Sequence, residues 1–483
     1  MFWKDFTIKH LENLKRSKEM KKRKLTLKDL KILIIILAII ILAAALFSCK
    51  TFGQKTSEED TENVAESTAA QDQQQQSELS STEINIWDSV NPKERIALMD
   101  SIEDFMGLNS KVIINSRHFR SDEELLDQFE AASLAGSGPE ILLSRLEAAQ
   151  RLAASSVIRP IESEIDYTNI VAGLNEISSF NGEKYVIPFR AMDFLMLFYN
   201  KDLVSTVPGD FVSLIEYCKE VNKPKEQIYG FLLNSKEPDW IIPFIGGYQD
   251  WIIDYNTNSI TLNSQATLKT LEFLVKIFNE DKIQPFDIEY EEINNSFKSG
   301  NTHMIINGNW AIDEYREAKL NFGVAKIPVV WEGFKNPTPM IDGIGFMLNT
   351  NYYGDKLEAA KNLIGYLMSE DVQASWNLST QTVSVLKNAV DSSQAKDNPI
   401  LQTAMEQEKI CRGKPSEDVI RVIRDAIRIN FENVIKGNIT PQEAVLKMQE
   451  DAIKLKSGNL KVEEITQDSS LNADTGTAKE TSK

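Results

Sequence analysis

The chain carries few of the side chains that metal sites and nucleophilic catalysis require. It has three histidines, His10, His118 and His303, which are widely separated in the sequence. A zinc site or a Ser-His-Asp triad needs a histidine together with other ligands or a nucleophile. The HExxH, GxSxG, CxxC and P-loop patterns are also absent. We therefore expect no metal, no cofactor and no histidine-based catalysis.

Cys49 stands at the end of an apolar run, where a lipid can be attached. Residues 32–47 are all apolar and follow a lysine-rich stretch, as in an export signal. The segment 46–49 (Leu-Phe-Ser-Cys) resembles a bacterial lipobox, in which the cysteine is acylated and becomes the first residue. We predict a lipoprotein signal peptide at 1–48. An uncleaved membrane anchor is the alternative, because about 20 apolar residues span a bilayer.

Removal of this signal leaves a strongly acidic chain. The full chain has a formal charge of −18, and residues 1–31 carry eleven Lys and Arg against four Asp and Glu, so the remainder is near −25. An acidic surface repels phosphate backbones and anionic lipids, which argues against nucleic acid as a partner. We place the protein on the outer face of the bacterial cytoplasmic membrane, attached through its lipid.

Polar segments flank a globular region. Residues 49–82 consist mostly of Ser, Thr, Glu, Asp, Gln and Ala and are predicted to form a flexible linker, and residues 457–483 a disordered tail. About 375 residues lie between them, more than one hydrophobic core usually supports, so two lobes are expected. Cys218 and Cys411 either pair or remain unpaired in the core, and the sequence leaves both possibilities open.

The order of predicted elements is that of an α/β chain. Residue patterns predict strands at Glu83–Trp87, Val112–Asn115 and Glu140–Leu143, with helices between them at Lys93–Met106 and Asp122–Ala135. Strands that alternate with helices favour a parallel sheet covered by helices.

Four blocks of sequence then follow one another in a distinctive order. Residues 181–203 begin Asn-Gly-Glu-Lys-Tyr and end Tyr-Asn-Lys-Asp-Leu, and residues 297–324 contain an Asn-Gly-Asn-Trp turn. A strand and a helix at 343–368 and helices at 415–452 come next. In this order the blocks resemble the extracellular solute-binding proteins of ABC importers, in the sugar-binding family that includes maltose-binding protein, over residues 83–456.

The resemblance implies an α/β, periplasmic-binding-protein-like fold of type II, with two lobes joined by crossing hinge strands. Lobe 1 would combine residues 83–190 with 345–390, and lobe 2 would combine 195–340 with 391–456. The lobes would close by hinge motion on a ligand held where strand ends and helix N-termini converge. The crossings are expected near Ala191–Leu195, Asp342–Gly345 and Val383–Val390.

The resemblance also places aromatic and acidic residues in the cleft. Trp310 matches the position at which the family stacks an indole on a sugar ring, with a core tryptophan as the alternative. Asp193 matches an acidic residue at the cleft mouth, with a solvated or capping role as the alternative. Asp239-Trp240 lies where relatives carry an aromatic ligand contact, so either Asp239 or Trp240 faces the cleft.

Two positions depart from the pattern of relatives that bind maltodextrin. Ser144 and Arg145 follow the third strand, where relatives often carry an aromatic residue, and Arg421 takes a commonly aromatic position in a C-terminal helix. Arg421 either binds a carboxylate or a hydroxyl pair with its planar fork or belongs to a solvated face. Arg424 and Arg428 are interpreted as such a face, paired within the helix. The loss of aromatic surface favours a more polar or acidic sugar.

In lobe 1, Asp88, Ser89 and Asn91 follow the first strand and either contribute hydrogen bonds to the ligand or shape a turn.

The sequence therefore predicts a monomeric, non-enzymatic binding lipoprotein of an ABC transporter that delivers a carbohydrate to permease subunits in the membrane. A surface sensory or interaction lipoprotein without a transport partner is the alternative. A hydrolase that uses Asp193 and Asp239 as acid and base is outweighed by the resemblance to a binding family.

Overall fold

The computed structural model describes residues 81–162, 165–330, 335–388 and 397–458. The predicted signal peptide, the acylation site at Cys49, nearly all of the linker and the tail after residue 458 lie outside these residues. Within the described part of the chain, no helix is long and apolar enough to cross a membrane.

Strands and helices alternate along the described chain. The strands are β1 (Thr82–Asp88), β2 (Val112–His118), β3 (Ile141–Arg145), β4 (Ser179–Phe180), β5 (Glu183–Lys184), β6 (Ile187–Met192), β7 (Leu195–Asn200), β8 (Tyr229–Leu232), β9 (Ile253–Asp254), β10 (Ser259–Ile260), β11 (Thr302–Gly308), β12 (Phe322–Ala325), β13 (Met340–Leu348), β14 (Val383–Ser384) and β15 (Arg412–Gly413).

The α-helices are α1 (Pro92–Leu108), α2 (Asp122–Leu134), α3 (Ala148–Ala154), α4 (Ala172–Ile177), α5 (Phe211–Val221), α6 (Ile242–Gly247), α7 (Gln265–Val275), α8 (Tyr290–Lys298), α9 (Ala311–Glu317), α10 (Gly354–Leu367), α11 (Glu370–Thr380), α12 (Pro399–Glu408), α13 (Glu417–Ile435) and α14 (Pro441–Lys456). A 3-10 turn at Pro238–Trp240 is also used below.

Two sheets organise the fold. The first has the order β14-β6-β13-β3-β1-β2, with β15 paired to β13, and the second has the order β12-β7-β11-β8. Strand β1 runs parallel to β2 and β3, as the alternating pattern predicts. Strand β13 is antiparallel to both β3 and β6, so the first sheet is mixed rather than wholly parallel. The sequence did not predict this, because β13 comes from a segment about 200 residues away from β3 and local patterns carry no pairing information.

The predicted helices begin where their capping residues lie. Asn91 caps α1 and forms a capping box with Glu94, and Thr440 caps α14 in the same way with Glu443. Helix α13 buries an apolar face whose spacing follows the helical period and includes Ile420, Ile423 and Ile427. Its opposite face leaves its arginines partly or wholly exposed.

The chain passes from the first sheet to the second at the position predicted near 191–195, and it has returned to the first sheet by Met340, just ahead of the crossing predicted near 342–345. Strand β6 of the first sheet ends at Met192, and β7 of the second sheet begins at Leu195, so Asp193 and Phe194 form the connection. At the start of β13, Met340 packs in the core around the second sheet, whereas Ile341 packs in the core of the first. The crossing predicted near Val383–Val390 borders residues outside the described ranges and stays a prediction.

Candidate functional site

A cavity of about 290 Å³ lies where these connections meet the second sheet. Its walls come from the ends of strands and from helix α13, the place where open α/β sheets bind ligands. A larger cavity of about 940 Å³ adjoins it through Lys414 and separates α4 from the β9–β10 hairpin. The smaller cavity, called the cleft cavity below, is lined by Asp193, Leu195, Asp239, Trp310, Met340, Lys414 and Arg424.

Trp310 presents a half-exposed indole to this cavity, with 45% of its surface accessible. It follows β11, and the Asn309 amide and side chain bond to the backbone of Phe194, which ties the tryptophan loop to the crossing. A Cβ at Gly308 would overlap the Trp310 ring, so only glycine lets the indole fold back over the end of β11. The ring is therefore positioned by a loop and is not part of a core.

A second tryptophan supports the first from behind. Trp240 is buried, donates its Nε1–H to the Ile306 carbonyl at 2.7 Å, and meets Trp310 edge to face with centroids 6.2 Å apart. Tyr290 accepts a hydrogen bond from Trp310 Nε1 at 3.1 Å. Of the two alternatives left open by the sequence, Asp239 lines the cavity and Trp240 is a supporting residue. Trp240 does not line the cleft cavity, and its direct contact with a ligand stays a prediction.

Asp239 and Arg424 form a bidentate pair on the cavity wall. Arg424 Nε and Nη2 donate to the two carboxylate oxygens of Asp239 at 2.7 and 2.8 Å. Burial lowers the pKa of Arg424, but the hydrogen bonds and charge of Asp239 outweigh it, so the net direction is upward. The guanidinium stays charged and fixed in its plane.

Arg424, one helical turn after Arg421, lines the cleft cavity, and ligand contact by Arg421 stays a prediction. Arg421 is exposed and forms no ion pair within the described residues, whereas Arg424 enters the cavity. The interpretation of Arg424 as a solvated residue was wrong, although its Nη1 lies 3.4 Å from Glu417, a pairing within the helix. The interpretation holds for Arg428, which is partly exposed and pairs with Glu237 and Asp425. A register error of three residues keeps a side chain on nearly the same helix face, so periodicity alone does not reveal it.

Arg145 connects the end of β3 to the crossing. Its Nη2 lies 2.6 Å from Asp193 Oδ2 and 3.4 Å from Asp342 Oδ2. Asp193 has φ of 59°, a left-handed conformation that costs a non-glycine residue roughly 1 kcal/mol, and the arginine contact holds it there. Asp193 therefore lines the cavity as predicted, in a strained connection between the sheets.

Asp342 and Lys414 belong to the same charged network as Arg145. Burial raises the pKa of Asp342 to about 6, although Lys414 and Arg145 oppose the shift. Lys414 Nζ lies 2.6 Å from Glu147 and 3.5 Å from Asp342. Burial raises the pKa of Glu147, but the charge and hydrogen bond of Lys414, the charge of Arg145 and the hydrogen bond with Asp342 together outweigh it, and the net direction is downward.

The remaining predicted residues lie outside the cleft cavity. Ser144 is buried, and its Oγ has no hydrogen-bond partner within the described ranges. Asp88 is fully buried and is bound by Arg95 and His118, so it is a structural residue. Ser89 donates to the Asp122 carboxylate, and Asn91 caps α1. For Ser89 and Asn91 the turn-shaping alternative describes the structure better than ligand contact does.

Sequence reasoning missed Lys414, Met340 and Glu147. Lys414 and Met340 lie beside the pairing of β13 with β15, where Met340 is the partner of Arg412. The turn formed by Gly413, Lys414 and Pro415 before the C-terminal helices was the available signal for Lys414.

Comparison with known proteins points to binding proteins. Residues 100–403 match the family of bacterial extracellular solute-binding proteins. The maltotriose-binding protein of Pyrococcus abyssi (strain GE5 / Orsay) is 24% identical over 339 residues, which are 68% of this chain and 72% of that protein. The galactooligosaccharide-binding protein of Bacillus subtilis (strain 168) is 22% identical over 331 residues, 66% of this chain and 77% of that protein.

Solved structures share the predicted two-lobed type II fold. The maltose/maltodextrin-binding domain from Bdellovibrio bacteriovorus bound to maltotriose superposes with a TM-score of 0.57 at 28% identity, over 77% of this chain and 99% of that one. A cyclo/maltodextrin-binding protein complexed with maltotetraose gives a TM-score of 0.68 at 22% identity, over 78% and 97%. The fold and the sequence match agree, and this chain therefore belongs to the family of bacterial extracellular solute-binding proteins.

Proposed function

We propose that the protein is the substrate-binding component of an ABC importer that captures a carbohydrate in the cleft cavity and delivers it to a membrane permease. The observation that carries the proposal is the half-exposed Trp310 indole, fixed over a cavity that four charged side chains and the apolar Leu195 and Met340 also line. Sugars have apolar ring faces and hydroxyl edges, and a fixed aromatic beside charged hydrogen-bonding groups matches both.

The polar groups around Trp310 suit hydroxyl recognition. Asp193 and Asp239 supply carboxylate oxygens, and the side chains of both are about one-third exposed. Arg145 and Arg424 fix their orientations, so little conformational freedom is lost when a ligand binds. The relatives named above bind maltotriose and galactooligosaccharides, and two neighbouring structures hold maltotriose and maltotetraose, which supports an oligosaccharide as the ligand class.

We propose that the two lobes close on the ligand by hinge motion about the crossings. In this proposal lobe 1 combines residues 83–190 with 345–390, and lobe 2 combines 195–340 with 391–456. Asp193 is placed at one crossing, where its backbone conformation differs from that of the flanking strands. Radius of gyration measured by small-angle scattering should fall when saturating ligand is added to a ligand-free open form.

Membrane attachment through Cys49 completes the proposal. Acylation there would hold the protein, as a monomer, on the outer face of the cytoplasmic membrane, with residues 49–82 as a flexible linker. The protein would act by binding and not by catalysis, since arginines already engage the two cavity carboxylates. A sensory lipoprotein without a permease is the competing function, and adjacent genes for two permease subunits would argue against it.

Calorimetry with maltotriose and a galactooligosaccharide tests the proposal. The unmodified protein should bind at least one of them, and Trp310→Ala should weaken that binding at least tenfold with little change in the unfolding midpoint. Tyr353→Ala is the matched control, because it removes an aromatic ring that is 68% exposed and lies outside the cavity. If Trp310→Ala lowers the unfolding midpoint sharply and leaves affinity unchanged, the tryptophan has a structural role and the proposed site is wrong.

A further inference from the structure

Eight charged side chains form a cluster at the cleft cavity, and the cluster contains more acids than bases. The three bases are Arg145, Lys414 and Arg424. The five acids are Glu147, Asp193, Asp239, Asp342 and Glu417. Every base is paired inside the cluster, so the acids outnumber the bases by two when all groups are ionised.

The bases have little bonding capacity left for a ligand. Lys414 Nζ has carboxylates within 4 Å from three residues: Glu147 at 2.6 Å, Glu417 at 3.4 Å and Asp342 at 3.5 Å. An ammonium has three N–H donors, so these neighbours can take all of them. Its side chain is also only 13% exposed. A ligand entering the cavity would meet this lysine as a neutralised, largely covered group.

The two arginines also use their N–H donors on protein carboxylates. Arg424 uses Nε and Nη2 on Asp239, and its Nη1 lies 3.4 Å from Glu417. Arg145 uses Nη2 on Asp193 and places Nε 3.3 Å from Glu147. A ligand carboxylate would have to displace one of these protein carboxylates to gain a bidentate contact.

Asp193 and Asp239, the acids that line the cavity, can still accept hydrogen bonds from a ligand. Asp193 bonds Arg145 through Oδ2, and Oδ1 has no hydrogen-bond partner within the described part of the chain. Asp239 has one arginine contact on each oxygen and further lone pairs available. The side chains of these two residues are 33% and 32% exposed, more than that of Lys414. The cavity is therefore rich in acceptors and poor in free donors.

We propose that this cluster selects a saccharide that carries a basic nitrogen over the same saccharide carrying a carboxylate, with Asp193 and Asp239 as the residues that determine the preference. An ammonium group would offset the excess of acids and donate to the free acceptors, whereas a carboxylate would add to the excess. This inference rests on the proposed carbohydrate-binding function. It reverses the expectation of a more polar or acidic sugar, which came from the loss of aromatic surface in the sequence and took no account of the partners of the arginines.

Three forms of one trisaccharide test the preference. They are maltotriose, maltotriose with its three primary hydroxyls replaced by amines, and maltotriose with those positions oxidised to carboxylates. At pH 7.5 the amine form should bind at least tenfold more tightly than the carboxylate form and more tightly than maltotriose itself. Equal affinities for the amine and neutral forms, or tighter binding of the carboxylate form, would overturn the inference while leaving carbohydrate binding intact. If none of the three binds, and other saccharides also fail, both the inference and the proposed function fall.

Two substitutions should move the preference in opposite directions. Asp239→Asn removes one acid and releases Arg424, so it should lower the ratio of amine to carboxylate affinity at least tenfold. Arg424→Gln removes a base and should raise that ratio. Glu432→Gln is the control, since it removes one acid from a lysine pair at the far end of helix α13. The readout is a ratio, so a general loss of affinity does not mimic it, and an unchanged ratio in both variants would refute the inference.

Discussion

Lys93 on helix α1 and Asp313 on helix α9 form an ion pair, with 2.8 Å between Nζ and Oδ2. The pair connects a helix that packs on the first sheet to a helix that contacts the second. Lys93 lies at the start of α1, which packs into the core of the first sheet, and Asp313 lies on α9, which contacts β11 of the second sheet. Asp313 comes three residues after Trp310, so the pair stands beside the tryptophan loop. Any motion that separates the lobes would break it.

The Lys93 pair should affect ligand affinity weakly and in a salt-dependent manner. Its side chains are 60% and 47% exposed, and such pairs contribute about 0.2–1 kcal/mol. Lys93→Met should therefore weaken ligand binding by no more than about fivefold at low ionic strength. The difference should vanish in about 1 M salt, where the Debye length is about 3 Å. Lys111→Met removes the same charge from the same lobe and should leave affinity unchanged, and equal losses in both variants would mean that the pair has no specific role.

Gly308→Ala should reduce ligand binding about as much as loss of the Trp310 ring. A Cβ at this position would overlap the indole, which must then swing away from the cavity. Because the ring is half exposed, the displacement should cost the fold little, and the unfolding midpoint should stay near that of the unmodified protein. Gly107→Ala is the control, since nothing lies within 4 Å of a Cβ there. Calorimetry that finds normal affinity for Gly308→Ala would show that the indole position does not matter.

The positions of strands and helices were easier to predict from the sequence than the pairing of the strands. The strands and helices of residues 83–145 were predicted within three residues of their observed ends, because each has a clear period and the two helices also begin at capping residues. The antiparallel insertion of β13 between β3 and β6 was not, since register between distant strands depends on packing that local sequence does not encode.

The residues of the candidate site were also predictable to different extents. Trp310 and Asp193 were identified because the resemblance to the sugar-binding family matches both positions along the chain. Arg424 was assigned to solvent because its partner, Asp239, lies 185 residues away. Lys414 was missed for the same reason, since its carboxylates come from three separate segments. Charged networks of this kind become visible only when the fold brings their members together.

Asp342 should make the fold less stable as the pH rises from about 4 to about 6. Burial raises its pKa from 3.8 to about 6, so the unfolded chain loses the proton first and the folded protein must ionise a buried carboxyl. At about 1.4 kcal/mol per pKa unit, the loss is at most about 3 kcal/mol and is complete above pH 6. Other carboxyls with lowered pKa values, such as Glu147, act in the opposite direction, so a difference between variants is needed.

Urea unfolding of Asp342→Asn and of the unmodified protein between pH 4 and 7 supplies that difference. The free energy of unfolding of the unmodified protein, relative to that of the variant, should fall across this range and then level off. A constant offset would reflect the lost contacts to Arg145 and Lys414 and does not affect the slope. Asp371→Asn, at an exposed position of helix α11, should retain the unmodified slope. Parallel curves for Asp342→Asn and the unmodified protein would contradict the prediction.

Counting reactive thiols tests both the buried cysteines and the lipid at Cys49. Cys218 and Cys411 are free and buried in different cores, so the structure resolves the open question against a disulfide. Burial raises the pKa of Cys218 to about 12 and moves that of Cys411 upward as well, which suppresses the reactive thiolate. Native protein purified from membranes should therefore react with no thiol reagent at pH 8. After denaturation it should show two thiols if Cys49 is acylated and three if it is not. Cys49→Ala should show two in either case, and rapid labelling of this variant before denaturation would contradict the burial of Cys218 and Cys411.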